Sequence, residues 1–71
     1  MVLPNYSRVR LQSNQYSNEG VSEGDIGYII EIYDEGTDNP EFEVEFYRSD
    51  GTTIAMLVVK REEIELAEEE E

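Results

Sequence analysis

Between Glu41 and Tyr47 the chain alternates without a break, as Glu-Phe-Glu-Val-Glu-Phe-Tyr. Successive side chains of a strand point to opposite faces. Phe42, Val44 and Phe46 are therefore predicted to line a core, and Glu41, Glu43 and Glu45 to point outward, roughly 7 Å apart. Ser7-Arg8-Val9-Arg10-Leu11 shows the same alternation over a shorter span, with Val9 and Leu11 inward and Arg8 and Arg10 outward. Gly24-Asp25-Ile26-Gly27 leads into Tyr28-Ile29-Ile30-Glu31-Ile32-Tyr33, where β-branched and aromatic residues dominate and predict a strand. Ile26, Ile29 and Ile32 recur at intervals that a flat strand cannot place on one face, so a bend with a bulge near Gly27 is expected. Thr52 to Val59 reads as a further strand. Its second half, Met56-Leu57-Val58-Val59, is apolar at every position, so both of its faces are expected to be covered.

Polar segments punctuate these runs. Residues 12 to 20 form a loop with Tyr16 as its large anchor, Asp34 to Pro40 a turn, and Ser49-Asp50-Gly51 a hairpin. Lys60-Arg61-Glu62-Glu63 reads as a single helical turn and Ile64-Glu65-Leu66 as a last short strand. Five strands in so few residues must curl to bury one face. The expected fold is all-β, a small five-stranded barrel built from a strongly bent antiparallel sheet. It is expected over residues 6–66, with a flexible N-terminus at 1–5 and an acidic disordered tail at 67–71.

Charge then narrows the function. Eighteen residues are acidic and five basic, a formal net charge of −13 with no histidine and no cysteine. Disulfides and thiolate metal sites are excluded, and the commonest zinc ligand is missing. No cofactor or metal is expected: the Asp34, Glu35 and Asp38 turn lacks the Asp-x-Asp-x-Asp-Gly spacing of a calcium loop. Nothing supplies a nucleophile with its base or a phosphate loop, so an enzyme is not expected. A phosphate backbone and an anionic membrane would both repel the chain. There is no apolar run long enough to span a bilayer and no basic, apolar leader at Met1 to Asn5, so a cytoplasmic location is expected.

Several of these segments together resemble a family of short bacterial domains of unknown function. The resemblance is carried by Val9 in the opening strand, Gly24-Asp25-Ile26-Gly27, Ile29-Ile30-Glu31-Ile32-Tyr33, Glu43-Val44-Glu45-Phe46, Asp50-Gly51 and Leu57-Val58-Val59. It implies an SH3-like or KOW-like barrel. Members of the family often lie near toxin genes, which implies an immunity or antitoxin role. The family has no catalytic motif to carry over. The Asn/Gln/Ser-rich first loop and the Glu-only C-terminus depart from its pattern.

The acids supply the candidate binding residues. Glu41, Glu43 and Glu45 on one strand face, Glu31 on the neighbouring strand, and Asp34, Glu35 and Asp38 in the turn can meet a cationic protein. Tyr47 on the glutamate face and Tyr16 in the polar loop are expected to be exposed and to join them, since tyrosine is favoured at interface centres. The plain alternatives are a solubilising face that prevents edge pairing, an ordinary turn, and tyrosines of the core and rim. Arg8 and Arg10 are expected to pair with acids of a neighbouring strand. The leading expectation is a cytoplasmic immunity or antitoxin-type inhibitor that binds and neutralises a cationic toxin, such as a nuclease, through the acidic surface, as a monomer in a 1:1 complex. An SH3-like adaptor with an aromatic groove and an acidic nucleic-acid mimic stand as alternatives.

Overall fold

The computed structural model describes Pro4 and residues 6–67. The strands are β1 (Arg8–Leu11), β2 (Ile26–Tyr33), β3 (Glu41–Tyr47), β4 (Thr53–Lys60) and β5 (Ile64–Leu66). One-turn 3-10 helices occupy Ser17–Glu19 and Arg61–Glu63. All pairings are antiparallel in a single bent sheet of order β4-β3-β2-β1-β5, the all-β, five-stranded arrangement expected from the strand pattern.

The clean alternation of β3 has the predicted outcome. Phe42, Val44 and Phe46 are fully buried, and they meet Val9, Leu11, Val21, Ile29, Val59 and Ile64 in one core. Ile32, Leu57 and Ala55 pack against that core from the flanking strands. Val58 is 47% exposed, and Val59 is the inward residue. Met56 is 52% exposed, so the outer face of β4 is uncovered rather than covered. Each neighbour of an inward residue must point out, and Val58 stands opposite the outward Glu43.

The bulge lies three residues beyond Gly27. Ile29 stands opposite Val44 and Glu31 opposite Glu43, so Ile30 is the extra residue. This puts Ile29 and Ile32 on the core side while Ile26 faces out beside Arg10 and Tyr47. Gly27 has a different task. A Cβ there would lie 2.6 Å from the carbonyl oxygen of Glu45 and 3.0 Å from the Phe46 ring. A second irregularity, at Ile54 in β4, bends the hairpin.

The fold runs one residue further than expected at its C-terminal side. Ala67 is buried, and its N–H donates to the Arg8 carbonyl at 2.8 Å. The rest of the expected tail, and the expected N-terminal segment apart from Pro4, lie outside the described residues.

Candidate functional site

The register of β2, β3 and β4 assembles the outer face row by row. Tyr33, Glu41 and Lys60 form one row; Glu31, Glu43 and Val58 the next; Tyr28, Glu45 and Met56 the third; Ile26, Tyr47 and Thr53 the last. Four predicted acids, Glu31, Glu41, Glu43 and Glu45, thus share one face with Tyr47. Asp34, Glu35 and Asp38 are exposed in the β2–β3 connection, at the Tyr33–Glu41 end of the same face. Glu31 and Glu43 sit directly opposite each other, an arrangement of like charges that costs stability. None of the four glutamates has an ion pair among the described residues, where the salt bridge is Arg10 to Glu65 at 2.9 Å, across β1 and β5 at the far end of the sheet.

Hydrogen bonds order this face without neutralising it. The Tyr33 hydroxyl donates to Glu43 at 2.6 Å, and Thr53 Oγ1 donates to Glu45 at 3.0 Å. The bond to Glu43 holds the Tyr33 proton and raises its pKa above the ordinary value; the interaction of the Tyr47 hydroxyl with the Glu45 carboxylate does the same for Tyr47. These bonds fix the direction of the two carboxylates. Beside them, Met56 and Val58 present apolar surface. No group of three or more carboxylates among the described residues is placed to hold a metal ion.

Tyr16 does not belong to this face. Its ring packs against the core and its hydroxyl donates to Glu63 at 2.7 Å. Gln15 Nε2 also donates to Glu63, and the Lys60 N–H donates to the same side chain at 2.8 Å. Glu63 therefore fastens the long first loop to the turn before β5. Sequence reading passed over Glu63; its signal was a glutamate at the third position of the helical turn, where a carboxylate reaches back to the first N–H.

Burial, then the hydrogen bond to Glu63, raises the Tyr16 pKa above 10.0. Folding tightens the hold on this proton, so the stabilisation is complete below pH 10.0 and is lost as pH rises through the folded-state value. Tyr16→Phe should lower stability by about 1 kcal/mol at neutral pH. Between about pH 9 and about pH 11, thermal melts should show a smaller further loss in the variant than in the wild type. Equal losses would mean that Tyr16 does not contribute to the alkaline limit.

The sequence reading also missed a cleft of about 620 Å³ lined by Arg8, Asp25, Ile26, Tyr28, Tyr47 and Arg48, among others. Tyr28 and Tyr47 meet edge to face there, with centroids 5.9 Å apart. The loops after β1 and after β3 bring the remaining walls together, and no local pattern announces such a meeting.

The family profile of "Domain of unknown function (DUF4926)" matches residues 6–66. The chain belongs to this family. The match covers every strand, from two residues before β1 to the end of β5, and so includes both the acidic face and the tyrosine cleft of this DUF4926 domain. A comparison with curated proteins and one with solved structures each found no match.

Proposed function

We propose that this domain is an inhibitor of the immunity or antitoxin type, which captures a cationic toxin domain on its acidic sheet face and neutralises it by occluding its site. One observation carries the reading: Glu31, Glu41, Glu43 and Glu45 stand on one face with no ion pair among the described residues, beside exposed Met56 and Val58. Leaving like charges together costs the free protein stability, and a cationic partner recovers that cost on binding. A nuclease fits the chemistry, because a cleft built for phosphates carries the lysines and arginines that such a face attracts. The apolar residues add contact area that a purely solubilising face does not need.

The test is binding to the products of neighbouring genes. Glu43→Lys with Glu45→Lys should weaken capture at least tenfold, about 1.4 kcal/mol. The association rate should fall steeply with salt, because steering is screened beyond about 10 Å at 0.1 M. Binding that survives both the double substitution and salt of about 0.5 M would remove this face as the inhibitory surface.

The tyrosine cleft favours a second reading, an adaptor that grips a peptide between Tyr28 and Tyr47. Salt separates the two: capture by a tyrosine-lined adaptor should persist at about 0.5 M salt, and capture by the acidic face should be lost.

A further inference from the structure

β4 ends the sheet. It pairs with β3 on one side, and its other edge makes no backbone pairing among the described residues. Small β proteins usually blunt such an edge by shortening it or by placing charge or proline on it. The opposite edge, β5, follows that rule, since it is three residues long. β4 does not. It runs eight residues, Thr-Ile-Ala-Met-Leu-Val-Val-Lys, without proline and with its one charge at the last position. From Ala55 to Lys60 its register with β3 is regular, so the free edge is straight enough to pair.

Two surfaces meet at that edge. Met56 and Val58 are the exposed apolar residues next to it. Glu43 and Glu45 lie directly behind them, one strand further in. A strand added to β4 would lie two strand spacings, about 10 Å, from the glutamate row. Long basic side chains on its outer face can reach back over Met56 and Val58 with their apolar stems, and bring their charges to the carboxylates. A second copy of this chain fits poorly: each carries −13, and pairing two β4 edges would set two glutamate rows on one face.

We propose that the free edge of β4 receives an extended segment of the cationic partner as an added strand, with lysine or arginine on its outer face. Main-chain hydrogen bonds hold the segment, and the glutamates select its charge. The inference rests on the reading that the partner is cationic and names the element that receives it.

A synthetic peptide of about eight residues that alternates lysine and valine is the probe. Its counterpart carries N-methyl groups on alternate amides, which keep the charge and remove the donors. The unmethylated peptide should bind on the order of tenfold more tightly than at least one of the two methylated phases. It should also slow hydrogen exchange at amides of β4. Equal binding of all forms, without protection of β4, would overturn strand addition. The charge reading would still stand if that binding fell with salt. Failure of every form to bind would overturn the β4 proposal, while the Glu43→Lys and Glu45→Lys comparison with a protein partner would still decide the charge reading. Self-association that protects β4 would assign the edge to a second copy and would also overturn the proposal.

Discussion

Phe46→Ala is expected to cost about 3 kcal/mol or more, a large part of the margin that a domain of this size has at roughly 0.05–0.15 kcal/mol per residue. Phe46 is fully buried in the middle of the sheet. Gly27 stands opposite it on β2 and Ala55 opposite it on β4, so the smallest inward residues of both neighbouring strands make room for the ring. Truncation leaves a cavity that glycine and alanine cannot fill, and the surrounding ladders resist collapse. Glu45, one residue earlier, points to the other face, where it sits among like charges. Glu45→Ala should cost little or raise stability slightly. Thermal melts of the two variants make the comparison. Similar melting temperatures would mean that β3 has no buried side, which would undo the assignment of the core.

Gly27→Val is expected to be the second severe change. The constraint is crowding and not backbone conformation, since Gly27 has an ordinary φ. A Cβ at this position would lie 2.6 Å from the Glu45 carbonyl oxygen and 2.7 Å from a methyl group of Val44. A side chain can turn aside; a carbonyl in a sheet ladder cannot move without disturbing its pairing. Overpacking of a core costs about 1–3 kcal/mol and occasionally more, and valine adds two further methyl groups. Gly27→Ala should cost less than Gly27→Val but still lower the denaturant midpoint clearly. Because Gly27 touches Phe46, the two sites should not add: Phe46→Leu should cost less in the Gly27→Ala background than alone. A Gly27→Val protein as stable as the wild type would show that β2 and β3 do not approach so closely.

These two residues also mark what could be read from the chain. Phe46 lies in a strand that alternates strictly, and a strict period of two identifies both faces at once. The same reasoning placed Val9 and Leu11 inward and the glutamates outward. It failed in β4, because Met56-Leu57-Val58-Val59 has no polar residue to mark the outer face. It misplaced the bulge for a related reason: Tyr28-Ile29-Ile30 offers apolar residues in both phases, so the point where the phase changes leaves no trace. Tyr16 was read as exposed because its sequence neighbours are polar. It is half-buried against the core, and its hydroxyl is held by Glu63, 47 residues away, a pairing invisible to any local window. The acidic face was legible residue by residue. Its alignment, with Glu31 directly across from Glu43, was not, since that depends on register.

The extra residue in β2 has a consequence for how such a domain can change. On a ladder continued from Ile29–Val44, position 30 would face Glu43 and position 31 would face Phe42. Ile30 shifts the count by one, so that Glu31 is outward and Ile32 inward. A chain without that residue would bring the same two side chains to the same two faces along a straighter strand. Gain or loss of one residue here thus alters the curvature of the sheet and leaves the order of acids and apolar groups intact. Shape and chemistry can be adjusted independently, so one arrangement of carboxylates can be presented on surfaces of different bend.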